Sequence, residues 1–424
     1  MNESAAHPVV LMRDEHPVSR KDIDPDALKI IYRLHGLGFT AFLCGGAVRD
    51  LMLGRKPKDF DVATDARPGQ IKKRFANAFI IGRRFRLAHI RFHGGKIIEV
   101  ATFRRDPGPE EEEPAGTEAD ADHKGAYGTP RDDAFRRDIT INALYYDPVA
   151  FTVIDYVGGL EDLERRRIRI IGDPGERFTE DPVRVWRVLR HAARLGFSID
   201  EATEKAIHSH GHLLAGAPGS RLYEELNKDL CYETRPVIEI LRTYRLLRYV
   251  LGRAGEEYES DYAKFCRLTD LLDIEDRARG DGVMLTLEEM YSLVFWPWLE
   301  GFLDEATDDM HTILLNAFAG AGMQALIPKN LRADIVQILI ILWHMRRALK
   351  TGRMRWSLKK RAHFPQASRV CVLMEKCRAP KDDESFEDLF RRACPSAPQG
   401  TDRRRRRHRR RPGPKPETGS GTGN

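Results

Sequence analysis

The chain has 424 residues, 42% of them apolar, so it is long enough to bury sizeable cores and to divide into two or more domains. No apolar run approaches the roughly 18 residues of a membrane-spanning helix, and the N-terminus lacks a charged-then-apolar signal pattern, which predicts a cytoplasmic protein without a membrane partner. The formal net charge of +6 depends on residues 403–411, which hold eight arginines and one histidine, so the basicity belongs to this block.

Residues 1–26 are polar and interrupted by prolines, which indicates a leader ahead of the first domain. Beyond it, apolar residues at helical and at strand-like spacings predict two helices and five strands. The helices are expected at residues 27–36 and 68–76, and the strands at 39–44, 60–63, 79–81, 88–92 and 97–103. This mixture is typical of an α+β catalytic head with a mixed sheet, which we place at residues 27–165.

A glycine pair, Gly45 and Gly46, stands between the first predicted strand and a segment with the pattern of a helix start. Glycines at such a junction let the backbone approach a ligand closely, and the N–H groups of a helix start attract anions. The pair therefore predicts a place for a nucleotide triphosphate. The alternative is a tight structural turn in which Arg49 and Asp50 form a local ion pair.

Asp59 stands just before the strand predicted at 60–63, and Asp61 is the second residue of that strand. Side chains two apart on an extended segment point to the same face, so both carboxylates can converge on one divalent-metal site. A metal pair about 3.5–4 Å apart suits phosphoryl transfer, because it stabilises both the attacking and the departing oxygen. Taken alone, however, Asp-x-Asp is also typical of a solvated strand edge.

The pattern of the head breaks down at residues 105–134, which are rich in Pro, Gly, Glu and Asp and predict a long loop. After residue 171 apolar residues recur every three to four positions. The predicted helices cover residues 182–196, 221–232, 235–251, 285–299 and 330–350. They indicate a helical neck at 166–250 and a helical, RNA-binding body at 251–395.

The last segment, residues 396–424, combines the arginine block with Pro, Gly, Ser and Thr, and cannot bury enough apolar surface to fold. Arginine clusters bind phosphate backbones with little sequence preference. The expected RNA-binding residues are Arg403, Arg404, Arg405, Arg406 and Arg407. A purely solubilising tail is the alternative.

Six cysteines are scattered without the spacing of a metal site, which predicts reduced thiols. Cys44 directly precedes the glycine pair. It is expected to be a small buried hydrophobe, with a thiol whose alkylation blocks nucleotide binding as the alternative.

Five segments, in order, resemble the motifs of the class II nucleotidyltransferases of the polymerase beta superfamily, which contains bacterial poly(A) polymerases and CCA-adding enzymes. The first is the run from Gly45 to Val62 already described. The others are residues 136–144, 155–163, 180–184 and 221–225. The resemblance covers about residues 19–230. It implies a nucleotidyltransferase head followed by a mostly helical remainder.

The resemblance also implies roles for individual residues. Asp59 and Asp61 are expected to be catalytic and to hold Mg²⁺, with Mn²⁺ as an alternative, and Asp138 is expected as a third carboxylate or as a ribose ligand. Glu99 competes for the third place, since a single charge among apolar neighbours calls for a partner. The expected nucleotide-binding residues are Gly45, Gly46, Arg49, Arg137, Asn142, Asp181, Arg184 and Arg187.

Nucleotide choice is expected at Asp181 and Arg184, which are three residues apart. On a helix starting near Pro182, both could face one ligand and offer an acceptor and donors to a base edge. Trp186 and His191 depart from the resembled family, which usually has an aliphatic residue and often a phenylalanine there. We expect His191 to be a core histidine.

The function predicted from these features is template-independent addition of AMP from ATP to RNA 3′ ends. Residues 82–89, residues 19–23 and the arginine-rich tail resemble bacterial poly(A) polymerases, and favour this activity over the alternative, CCA addition to tRNA. A third hypothesis is a non-catalytic RNA-binding protein. RNA 3′ ends and ATP are the expected partners, with RNA-degradation or RNA-chaperone proteins as further candidates.

Overall fold

The computed structural model describes residues 7–82, 86–105, 127–305, 310–320, 326–351 and 356–378. Within these ranges, none of the helices combines the length and the apolar character that crossing a bilayer requires. Three predictions fall outside the described residues: the arginine tail at 403–407, the acidic part of the loop at 105–134, and the centre of segment 82–89.

Eight strands form one mixed sheet near the N-terminus of the chain. They are β1 (Val9–Leu11), β2 (Ala41–Cys44), β3 (Asp61–Thr64), β4 (Ala78–Ile81), β5 (Leu87–Arg91), β6 (Ile97–Thr102), β7 (Leu144–Asp147) and β8 (Thr152–Asp155). Their order in the sheet is β1-β8-β7-β2-β3-β6-β5-β4. Neighbours are antiparallel except β3 and β6, which run parallel with Val62 opposite Val100. The expected α+β head with a mixed sheet is confirmed.

Short helices cover the sheet and connect its strands. They are α1 (Pro25–Gly36), α2 (Gly46–Met52), α3 (Pro68–Arg74), α4 (Pro130–Phe135) and α5 (Gly159–Glu164). The first of them shows why the local sequence folds as it does. Asp24 caps α1 by accepting from the N–H of Asp26, Pro25 presets the first turn, and Ala27, Ile30, Ile31 and Leu34 bury one face.

The five predicted strands and two predicted helices of the head agree with the structure to within about two residues at most ends. Three strands were not predicted. β1 lies inside the segment expected as a leader and pairs with β8 at the sheet edge, and β7 and β8 were too short for their pattern to stand out. The loop predicted at 105–134 is wrong at its end, because Thr129 caps the helix α4.

Helices dominate from residue 174 onward. They are α6 (Pro174–Glu180), α7 (Val183–Leu195), α8 (Glu201–His210), α9 (Gly219–Leu230), α10 (Thr234–Thr243), α11 (Leu247–Ser260), α12 (Tyr262–Gly280), α13 (Leu287–Glu305), α14 (Met310–Gly320), α15 (Lys329–Thr351) and α16 (Phe364–Arg378). Two further strands, β9 (Arg167–Ile168) and β10 (Ser198–Ile199), pair in parallel beside α7. The single helix predicted at 235–251 is wrong. The chain breaks there, because Arg245 adopts a left-handed φ of 56° between α10 and α11.

A buried ionic cluster fixes α7 against α9. Arg190 on α7 pairs with Glu225 and Asp229 on α9, and all three side chains are almost completely buried. The indole of Trp186 donates to Asp229 at 2.6 Å. Arg194 and Lys228 add a second cation to each carboxylate, and these pairs set the position of α7, the helix that carries the predicted nucleotide-reading arginines.

Candidate active site

The turn between β2 and α2 requires a glycine at position 45. Gly45 has a φ of 73°, and a Cβ built there would lie 3.1 Å from Nη1 of Arg137. Its N–H donates to the carbonyl of Leu144 at 3.1 Å, which ties the turn to β7. The glycine pair therefore sits where the predicted motif places it, at the end of the buried strand β2.

Asp59 and Asp61 are both exposed at the start of β3, and Glu99 occupies the matching position on the parallel strand β6. Their proximity shows in the pKa of Asp61. The pKa of Asp61 is raised to about 6, first by desolvation in the surrounding protein and then by the charge of Glu99. Asp59 adds a smaller effect in the same direction, and Arg137 opposes the shift. Three carboxylates thus concentrate negative charge near the start of β3.

This donor set suits a hard divalent cation. Carboxylate oxygens are the ligands that Mg²⁺ prefers, and Mg²⁺ is usually held by one or two carboxylates together with substrate phosphates and water. Among the described residues, no group of three or more acidic, histidine or cysteine side chains is arranged to hold a metal ion by itself, so an ion here would need ligands from the substrate. Asp59 and Asp61 are the residues here that could hold a divalent ion.

Arg49, on the first turns of α2, is held between two partners. Its Nε and Nη2 contact Asp50 at 2.8 and 2.7 Å, and its Nη1 donates to Oδ1 of Asn142 at 2.6 Å. The ion pair that we considered as an alternative for this turn is therefore present. Asn142 in turn approaches His191 on α7, with 3.2 Å between Nδ2 and Nε2. A chain of contacts consequently runs from α2 to α7.

Arg137 lies beneath the glycine turn. It pairs with the buried Asp133 at 3.0 Å, donates to the carbonyl of Asn142 at 3.2 Å, and lies against the ring of Tyr145. The hydroxyl of Tyr145 donates to the same carboxylate at 2.8 Å. Asp133 and Tyr145 belong to none of the predicted site residues, and only their contacts with Arg137 mark them.

Asp138 does not join Asp59, Asp61 and Glu99 near the start of β3. It forms ion pairs with two arginines on the first turns of α7, Arg184 at 3.2 Å and Arg187 at 2.7 Å. Arg184 also contacts Glu180 at 2.8 Å. Of the two candidates for a third carboxylate, the structure places Glu99 beside Asp61 and Asp138 beside the arginines.

Asp181 and Arg184 do not share a helical face, which corrects the expected geometry. Asp181 has an extended backbone between α6 and α7, and α7 begins only at Val183. Its carboxylate makes two parallel bonds of 2.8 Å to Arg221 on α9, a residue within the fifth motif whose contact the sequence did not reveal. Asp181 and Arg184 are therefore held by different partners, Arg221 and Asp138.

Two family models match the chain. Residues 41–169 match the poly A polymerase head domain, and residues 196–254 match a probable RNA and SrmB-binding site of polymerase A. The first range contains the glycine turn and the carboxylates, and the second contains α8 to α10. The predicted head and neck motifs thus fall in or beside the matched ranges.

Whole-chain comparisons agree with these matches. The chain is 37% identical to Poly(A) polymerase I of Salmonella typhimurium over 388 residues, which covers 85% of this chain and 80% of the relative. It is also 37% identical to the CCA-adding enzyme of Bacillus pumilus, over 56% of this chain and 58% of the relative. Among solved structures, the Bacillus stearothermophilus CCA-adding enzyme in complex with CTP superposes with a TM-score of 0.62 at 25% identity, covering 88% of this chain and 82% of that one. The chain therefore belongs to the bacterial poly(A) polymerase family and is an RNA nucleotidyltransferase acting on RNA 3′ ends.

Proposed function

We propose that this enzyme adds AMP units from ATP to RNA 3′ ends without a template. The observation that carries the proposal is the extent of the match to Poly(A) polymerase I. This match covers 85% of the chain, a larger share than the head and neck together make up. The match to the CCA-adding enzyme of Bacillus pumilus has the same identity but covers 56% of the chain. Likeness to poly(A) polymerases thus continues into the helical body.

Asp59 and Asp61 would hold Mg²⁺, with Mn²⁺ as the alternative ion, and Glu99 is the better placed third carboxylate. Bound there, the ions would lower the pKa of the RNA 3′-hydroxyl and offset the charge of the nucleotide phosphates. Burial first, and then the charge of Glu99, raise the pKa of Asp61, and a divalent ion bound to the carboxylate would offset both effects.

The protein's own groups would position the nucleotide. Gly45, Gly46 and Arg49 would receive the triphosphate at the start of α2, where N–H groups and the guanidinium offer donors. Arg137 would support the turn from below through its contacts with Asp133 and Asn142. Each of these arginines is already held by a carboxylate or an amide, so its direction is set before the nucleotide binds.

Base and ribose would be read by residues at the neck side of the site. Asp181 and Arg184 would face the base edge, and Arg187 would reach the phosphates or stack on the base. Asp138 would serve as the ribose ligand, and its pairing with Arg184 and Arg187, which are also proposed to contact the nucleotide, supports this role. Side chains would thereby replace a template strand.

The arginine-rich tail would add affinity for the RNA backbone through Arg403, Arg404, Arg405, Arg406 and Arg407. The cytoplasmic location and the RNA-degradation or RNA-chaperone partners stay predictions from the sequence.

The deciding experiment supplies the purified full chain with a generic RNA or with a tRNA lacking its 3′ end, and with ATP or CTP separately. Long A-tails on both substrates, with no use of CTP, are expected. Addition that stops after C, C and A would instead establish the alternative, a CCA-adding enzyme.

The metal assignment has its own test. Asp59→Ala and Asp61→Ala should each abolish incorporation while RNA binding survives, and Asp65→Ala, one residue past β3, serves as the matched control. Retained incorporation in the first two variants would contradict the assignment.

A further inference from the structure

The arginines that hold Asp138 share a face of α7 with His191. Arg184, Arg187 and His191 are spaced by three and then four residues, so they follow one stripe along the helix. The two arginines contact Asp138, and His191 contacts Asn142 one turn further along. The stripe therefore spans the junction between the neck and the glycine turn of the head.

The donors and acceptors around Asn142 allow one orientation of its side-chain amide. Arg49 carries only donors, so the atom of Asn142 that lies 2.6 Å from its Nη1 must be the amide oxygen. The amide nitrogen then faces His191 at 3.2 Å, and because that nitrogen is also a donor, Nε2 of His191 must accept. The imidazole accordingly carries its proton on Nδ1.

The surroundings of His191 keep the ring in this neutral form. Burial, followed by the positive charges of Arg49, Arg190, Arg187 and Arg194, lowers the pKa of His191 well below its usual value. A protonated ring would present a donor to the donor of Asn142. The local charges thus exclude the state that would break the contact.

We propose that His191 is a positioning residue for the incoming nucleotide: it fixes the amide of Asn142, and through it the guanidinium of Arg49, toward the phosphate-binding turn. This inference rests on the proposed function only in taking Arg49 as a phosphate ligand. In this proposal His191 acts through Asn142 and makes no contact with the substrate. It also couples α7, which reads the base, to α2, which receives the triphosphate.

The test compares ATP binding and kinetics among variants of the full chain. His191→Phe keeps a planar ring but removes the acceptor, and should raise the KM for ATP about three- to tenfold, the loss of one hydrogen bond, while kcat and the KM for RNA change less than about twofold. His191→Gln places an oxygen near the position of Nε2 and should restore most of the affinity. The matched control is His208→Phe on α8, where His208 is exposed and packs on Tyr244.

A double-mutant comparison separates positioning from general damage. In an Asn142→Ala background, His191→Phe should have no further effect on the KM for ATP, because the histidine acts through the amide. Additive effects, an unchanged KM in His191→Phe, or a folded His191→Gln that behaves like His191→Phe would each overturn the proposal. Binding of ATP without RNA is measured in parallel. A wild-type protein that binds ATP but fails to extend RNA contradicts the proposed function alone.

Discussion

Arg221 and Asp181 form a two-pronged ion pair across 40 residues of sequence, with both nitrogen–oxygen distances at 2.8 Å. The pair joins α9 to the break between α6 and α7. The guanidinium of Arg221 thus fixes the plane of the Asp181 carboxylate, which we propose for base recognition.

Replacing Arg221 by lysine should therefore weaken base selection. An ammonium group cannot make two parallel bonds to one carboxylate, so Asp181 would lose its fixed orientation. We expect the preference for ATP over CTP, measured as the ratio of kcat/KM values, to fall about tenfold. Arg165→Lys is the matched control, because Arg165 pairs with Glu161 on the head surface. An unaltered ratio would remove Arg221 from base selection.

The two candidate third carboxylates should give opposite kinetic signatures. Glu99→Gln should lower kcat by about tenfold or more with a small change in the KM for ATP, because Glu99 lies beside Asp61. Asp138→Asn should mainly raise the KM for ATP, because Arg184 and Arg187 lose the carboxylate that they share. Steady-state kinetics with a fixed RNA concentration distinguish them. The reverse pattern would return the third-carboxylate role to Asp138.

Tyr258 bridges two backbone groups of α13 beside Pro297, and this contact should contribute to stability. Pro297 interrupts α13, and the buried hydroxyl of Tyr258 donates to the carbonyl of Val294 at 2.6 Å while accepting from the N–H of Trp298 at 3.1 Å. Tyr258→Phe leaves both backbone groups unpaired, so the free energy of unfolding should drop by about 1–3 kcal/mol. Denaturant unfolding measures the change, with the exposed Tyr262→Phe as control. A loss no larger than that of the control would show that the bridge contributes nothing.

Cys44 should resist alkylation, which favours the buried-hydrophobe interpretation. Burial raises the pKa of its thiol to about 11, so the reactive thiolate forms only as the pH rises toward that value. Iodoacetamide at pH 7.5 is expected to modify the exposed Cys231 and to leave Cys44 unmodified, as mass spectrometry of peptides would show. Saturating nucleotide should not alter the result. Rapid modification of Cys44 would support the alternative of an alkylation-sensitive site.

The arginine-rich tail should govern the salt dependence of RNA binding. Deleting residues 403–424 removes eight arginines, and the slope of log affinity against log salt should fall by about 0.7 for each arginine that contacts single-stranded RNA. Deleting only residues 412–424 is the control, since it leaves the arginine block. Activity at low salt should persist in both. An equal slope in all three proteins would support a solubilising tail.

Local chemistry in the sequence determined much of the head. Asp24 and Pro25 start α1, alternating apolar residues mark β5 and β6, and the glycine pair and Asp-x-Asp motif could be located because each depends on near neighbours. The helical neck and body followed from three-to-four spacing in the same way. Strands as short as β7 and β8 carried too little pattern, and the break at Arg245 has no local glycine or proline to signal it.

Only the tertiary structure decided which charged groups meet. Glu99 reaches Asp61 because a crossover makes β6 the parallel neighbour of β3, and Asp138 reaches α7 because the neck folds back on the head. Asp181 turns to Arg221 instead of sharing a face with Arg184. Residue spacing fixes what lies on one helix or strand, whereas contacts between elements depend on how whole faces bury together, and no local run of residues encodes that arrangement.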